Sequence, residues 1–178
     1  MSFQPNYTAV RSTCNLWRNS RDIHANWTAI SSTMDFFDHK QDELIKVSGP
    51  GGWNDHDMLM VGLPGLSVDQ AKVQMAVLEY LVGPAADIQN VSVYAKPMTP
   101  VYKATGDHSY AIAFVNRDKQ AKVSVAVTLE QLGLKHSKGY ELENLFHNEP
   151  TRSLKPQDKL SSAINPTGVA MFKATVIV

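Results

Sequence analysis

The sequence predicts a parallel α/β segment over residues 1–86, joined to an antiparallel β-sandwich over residues 87–178. Three observations predict it. Up to Ala86, short apolar runs alternate with stretches of helical periodicity, the strand–helix–strand–helix order of parallel α/β architecture. From Val91 onward the apolar period is two, in short runs separated by polar turns. A chain of 178 residues, 43% of them hydrophobic, can bury one ordinary core or two small ones.

Thr8 to Trp17 reads as a buried strand that ends in the polar run Arg18-Asn19-Ser20-Arg21-Asp22. Ile23, Trp27 and Ile30 then recur at helical spacing, and Met34, Phe37 and Leu44 repeat it. Ser48 to Trp53, rich in Gly and Pro, predicts a loop or short strand leading into Asn54-Asp55-His56-Asp57. Ser67-Val68-Asp69-Gln70 has the form of a capping box. Ala71, Met75, Leu78 and Val82 supply the inward face of the helix it opens, and Gly83-Pro84 stops that helix.

Strands are predicted at Val91–Lys96, Tyr110–Asn116, Lys122–Thr128, Tyr140–Phe146 and Val169–Val178. Val123, Val125 and Val127 alternate with Ser124, Ala126 and Thr128, as a half-buried antiparallel strand should. Gly106-Asp107 and Asn165-Pro166-Thr167-Gly168 are the clearest turns. No internal repeat or low-complexity segment interrupts the pattern.

Charge is balanced, with 17 basic and 17 acidic residues, so neither nucleic acid nor an anionic membrane is an expected partner. Apolar runs are too short for a transmembrane helix, and Met1 to Val10 lack the pattern of a signal peptide. Sequons nevertheless stand at Asn6, Asn26 and Asn90, and Cys14 is the single cysteine, so no internal disulfide can form. Sequons without a signal, beside an orphan thiol, lead to the expectation that an N-terminal part is absent. The 6 histidines lack a metal-ligand spacing and no Gly-x-Ser-x-Gly elbow occurs, so no metal, cofactor or serine triad is expected.

Two polar constellations sit where strand-like runs end: Cys14-Asn15-Leu16-Trp17-Arg18-Asn19-Ser20-Arg21-Asp22 and Gly49-Pro50-Gly51-Gly52-Trp53-Asn54-Asp55-His56-Asp57-Met58. Clustered Asp, Asn, Arg and Trp suit sugar binding, because charged groups bond hydroxyls while indole packs on the ring face. A glycosidase needs two carboxylates, one to protonate the leaving oxygen and one to attack the anomeric carbon. The structural alternative is that Asp22 caps a helix beginning at Ile23, while Asp55 and Asp57 shape a turn.

These two constellations, with Asn6-Tyr7-Thr8, Gly65-Leu66-Ser67, Gln74-Met75-Ala76 and Asn165-Pro166-Thr167-Gly168-Val169, closely resemble the eukaryotic, lysosomal-type α-galactosidase and α-N-acetylgalactosaminidase family, in family order along nearly the whole chain. The resemblance implies an incomplete (β/α)8 TIM barrel over 1–86, with its active site at the carboxyl ends of the strands, followed by the family's antiparallel β domain over 87–178. It implies that Asp22 is the general acid/base, that Arg18 binds substrate hydroxyls, and that Asp57 and Met58 line the galactose pocket. The substrate would be an α-galactoside-bearing glycoconjugate or oligosaccharide, cleaved with retention and without a cofactor. The resemblance further implies a glycan at Asn6, a partner on the preceding strand for Cys14, a lysosomal or secreted location, and room for a homodimer among full-length members.

Departures from the family pattern are expected to matter. Its nucleophile is an aspartate in a Lys-x-Asp setting on the fourth barrel strand, and nothing here stands in that place. His56 replaces the usual proline and Ser20 an aromatic residue. After Ala86 the sequence passes almost directly to the β domain, leaving barrel strands six and seven with their helices, where a whole barrel takes about 250 residues. The expectation is an inactive fragment of a retaining glycosidase, the alternatives being a non-catalytic carbohydrate-binding or interaction protein and a truncated product without a role.

Overall fold

The computed structural model describes residues 5–77, 84–88 and 91–178. Its first element is a helix, α1 (Tyr7–Thr13), where the β-branched residues Thr8, Val10 and Thr13 suggested a strand. Local bonds override that propensity. Asn6 Oδ1 accepts from the Ala9 amide at 3.1 Å, and the Ser12 and Thr13 hydroxyls bond back to Ala9 and Val10 carbonyls. The strand is confined to β1 (Leu16–Arg18).

Helix α2 (Trp27–Val47) follows as one unbroken rod of 21 residues. Trp27, Ile30, Met34, Phe37 and Leu44 form a single buried stripe, and neither Gly nor Pro interrupts it. Ile23 is buried but lies ahead of the helix, whose N-cap is Asn26. Strand β2 (Trp53–Asp55) then pairs with β1 in parallel, Leu16 opposite Trp53, Trp17 opposite Asn54 and Arg18 opposite Asp55. Helix α3 (Val68–Val77) opens on the predicted capping box: Gln70 N donates to Ser67 Oγ at 3.2 Å and Ser67 N to Gln70 Oε1 at 3.1 Å.

The inward face of α3 differs from expectation. Val73, Gln74 and Ala76 are buried, whereas Met75 is 44% exposed. The first stripe carries a small residue that permits close approach to a sheet, and the Gln74 amide closes onto Met60 N and Met58 O at 2.7 and 3.0 Å. Leu78, Val82 and Gly83 lie outside the described residues.

The remaining strands are β3 (Pro84–Ile88), β4 (Val91–Tyr102), β5 (Asp107–Asn116), β6 (Val123–Thr128), β7 (Tyr140–Asn144), β8 (Arg152–Leu154), β9 (Lys159–Ile164) and β10 (Val169–Val176). Six form an antiparallel sheet in the order β3-β4-β5-β10-β7-β8, faced by the pair β6-β9. All five predicted strands are present, and β3 continues the sheet back across residue 86. Strands β8 and β9 had no clear signal. Only Leu160 and Ile164 of β9 are buried, four apart, so its period-two pattern is diluted by serines.

Between the sheets lies the main core, built around Ile112, Phe114, Val125, Val127, Leu142 and Phe172. The other face of the six-stranded sheet is not bare. Tyr94, Ala111, Ala113, Val115, Val169 and Met171 meet Ile23, Trp27, Ile30, Met34, Val73 and Ala76 in a second core. The helices of the α/β half therefore cover the sandwich, and the two halves share apolar burial.

Candidate active site

Arg18 ends β1, and beyond β2 the chain turns at Asp57, which takes the left-handed φ of +79°. The turn is held by its own neighbours: Asp57 N donates to Asp55 Oδ1 at 3.0 Å and Met58 N to Asp57 Oδ1 at 2.9 Å. Asp57 Oδ2 then reaches across to the first constellation, accepting from Ile23 N at 3.0 Å and from Arg18 Nη1 at 3.3 Å. Arg18 Nη2 bonds Asp22 Oδ1 from its other side. One guanidinium thus bridges both aspartates at the carboxyl end of two parallel strands.

The electrostatics of the two carboxylates differ. The Ile23 amide, with the Met58 amide and the Arg18 guanidinium behind it, holds the Asp57 carboxyl below the usual range against some desolvation. Its side chain is only 12% exposed, against 69% for Asp22. Asp57 is committed to structure-forming bonds, and Asp22 faces solvent.

Asn54 orients this corner from below. Its Oδ1 accepts from Trp17 Nε1 at 2.8 Å and from Asn19 Nδ2 at 2.6 Å, while its Nδ2 donates to Leu44 O at 3.1 Å and Ser48 Oγ at 2.5 Å. All four of its hydrogen-bonding positions are used. The two residues flanking Arg18 are thereby tied to β2 and to the end of α2. Sequence reasoning assigned Asn54 no role. Its signal was alternation in β2, which turns Asn54 toward the helix while Trp53 and Asp55 turn away.

Trp53 is 52% exposed and Met58 70% exposed. A concavity of about 580 Å³ adjoins Arg18, with Tyr7, Asn19, Ser20, Arg21, Ser32 and Phe36 in its wall. Arg18 lines it, whereas Asp22, Asp57 and Met58 do not, so the expected convergence is met by ion pairing and not by one shared pocket. Asp22 does not cap a helix. Asn26 does so, through a 2.9 Å bond from Ala29 N to its Oδ1. Asp55 does shape the turn, as the structural alternative held.

Asn6 and Asn26 are exposed and cap α1 and α2 through Oδ1, leaving Nδ2 outside those cap bonds. Asn90 lies outside the described residues. Cys14 is an exposed free thiol. The letters Lys-x-Asp occur at Lys40-Gln41-Asp42, but inside α2 and not on a strand. Among the described residues no group of His, Cys, Asp and Glu could hold a metal ion, and no helix is long and apolar enough to cross a membrane.

Comparison with known proteins bears on the whole chain. Residues 1–104 match the family model described as alpha galactosidase A, and residues 89–174 match that of the alpha galactosidase C-terminal beta sandwich domain. Rat α-N-acetylgalactosaminidase is 33% identical over 198 aligned residues, which cover 94% of this chain and 48% of the relative. Human α-galactosidase A is 42% identical over 98 residues, 53% of this chain and 23% of that enzyme. In fold, a crystal structure of a Bacillus halodurans protein assigned as an α-N-acetylgalactosaminidase superposes with a TM-score of 0.63 at 13% identity, over 99% of this chain and 47% of that one. The chain spans about half the length of the α-N-acetylgalactosaminidases that it matches almost end to end. Two family models in order, over a barrel segment and a sandwich that the structure contains, mean that this chain belongs to the α-galactosidase and α-N-acetylgalactosaminidase family of glycoside hydrolases.

Proposed function

We propose that this chain carries the acid/base half of a retaining glycosidase site for terminal α-linked galactose or N-acetylgalactosamine, and that it does not turn over substrate alone. The observation that carries this reading is the Arg18 guanidinium bonded to Asp22 and Asp57 at the strand ends. In it, Asp22 donates the proton to the leaving oxygen and later withdraws one from water, Arg18 binds sugar hydroxyls, and Asp57 and Met58 line the galactose pocket. Double displacement requires a second carboxylate about 5–5.5 Å away as nucleophile. Asp57 is unsuited to that task, because two amides and a guanidinium already stabilise its charge. No metal or cofactor enters the proposal.

The same reading includes glycans at Asn6, Asn26 and Asn90, a lysosomal or secreted setting, pairing of Cys14 with a second cysteine, and a homodimer for the longer form. Turnover of a nitrophenyl α-galactoside tests the central point. Highly purified chain should give none, and turnover abolished by Asp22→Asn would sink the proposal.

The exposed indole of Trp53 favours a second reading, a carbohydrate-binding protein without catalysis. Saturable galactose binding that is lost in Trp53→Ala, with no turnover in either protein, would favour it.

A further inference from the structure

His136 stands outside the site, with both ring nitrogens held by neighbours in the sandwich. It lies in the segment between β6 and β7 and is 4% exposed. Its Nδ1 is 2.7 Å from Asp107 Oδ2, at the start of β5, and its Nε2 is 2.8 Å from the Ile177 carbonyl, just past β10. The Tyr102 and Tyr140 rings stand steeply inclined to the imidazole, with centroids 5.1 and 6.2 Å away. The backbone closes the same junction, with His136 N donating to Tyr140 Oη at 3.2 Å and Ile177 N to Gly139 O at 3.2 Å.

Both ring nitrogens face oxygens that can only accept. A peptide carbonyl has no proton, and the Asp107 carboxyl is held below its ordinary range, by the Thr105 hydroxyl first and by His136 second. A neutral imidazole has one N–H, so it can satisfy one of these partners and must turn a lone pair toward the other.

We propose that His136 is a proton-operated latch, which as imidazolium ties the end of β10 to β5 and as neutral imidazole releases the Ile177 carbonyl. Nε2 gives up the proton, because Nδ1–H faces a negative charge and Nε2–H a neutral carbonyl. The surrounding charges agree with this. Asp107 from β5 favours the cation. Tyr102 from β4 and Tyr140 from β7 face it with aromatic rings, and the Tyr140 phenol is pushed up chiefly by burial. Lys138, on the latch segment, directs its ammonium to the Tyr102 ring at 5.8 Å, and His108 faces Asp107. The latch is closed while the ring carries both protons and opens when pH rises far enough to remove one.

Nitrogen NMR of the imidazole, assigned by comparison with His136→Asn, reads the first half of the claim on the unmodified chain. At pH 5.5 both ring nitrogens should give protonated-type signals. A pyridine-type signal from either one would overturn the proposal. Amide exchange at Ile177, corrected for intrinsic base catalysis, reads the second half. Its opening should rise with pH by up to about tenfold per unit while the ring gives up its proton, the limit for one linked proton, and should lose that slope in His136→Asn. A doubly protonated ring with pH-independent opening at Ile177 would equally overturn it, whether or not the chain binds or cleaves galactosides.

Discussion

Arg117, just past the end of β5, places its Nη2 2.9 Å from Asp38 Oδ2 in the middle of α2, and the same nitrogen donates to Tyr94 Oη at 3.1 Å. Its Nη1 reaches Asp35 at 3.0 Å. This cluster joins the sandwich to the helix that belongs, by chain order, to the barrel segment. Arg117 and Asp38 are 18% and 15% exposed, so the pair is shielded enough to matter. Arg117→Leu should cost about 2 kcal/mol in urea unfolding, because it leaves Asp38 charged and half-buried. A loss below about 0.5 kcal/mol would mean that solvent screens the pair.

Asp57 gives the corner beside Arg18 a pH dependence. Its carboxyl is depressed, foremost by the Ile23 amide. A depressed carboxyl contributes stability that is present above its unfolded value of about 3.9 and lost as pH falls through the folded one. The β1–β2 corner should therefore loosen below about pH 4. Asp57→Asn should remove that acid-dependent component while lowering stability at pH 7. Acid unfolding followed by Trp17 and Trp53 fluorescence checks it, and an unchanged acid limb in the variant would refute the assignment.

Asn54→Ala should cost about 2–3 kcal/mol, since it strands the Trp17 indole N–H and the buried Asn19 amide together. Asn54→Asp should also destabilise. A carboxylate still accepts from Trp17 and Asn19 but has no proton for Leu44 O or the Ser48 contact. Equal stability of Asn54→Asp and the unmodified chain, measured by urea denaturation, would contradict the four-bond arrangement.

Asn26 separates a structural role from a modification. Asn26→Ala should lose about 1 kcal/mol through the missing N-cap, whereas Asn26→Asp should keep most of the cap. Both substitutions abolish the sequon. Thermal melting of material from a host that does not glycosylate should therefore rank Asp close to Asn and well above Ala. In a glycosylating host, loss of mass in both variants would show occupancy of the site.

The sequence by itself determined the sandwich strands whose valines, phenylalanines and alanines alternate, such as β6 with Val123, Val125 and Val127. It also determined the capping box at Ser67–Gln70, and the two polar runs that bring Arg18, Asp22 and Asp57 to strand ends. These are readable because caps and alternation are local, depending on neighbours two to four residues away. The tertiary structure alone decided the rest. It turned Val73 and Ala76 inward in place of Met75, and recruited β8 and β9 as strands with little pattern of their own. It set Asn54 at the centre of four bonds and Arg117 between two acidic residues more than seventy positions away. Which face of a helix is buried, and which polar group finds its partner, depends on surfaces that meet only after the chain has closed on itself; local periodicity carries no information about them.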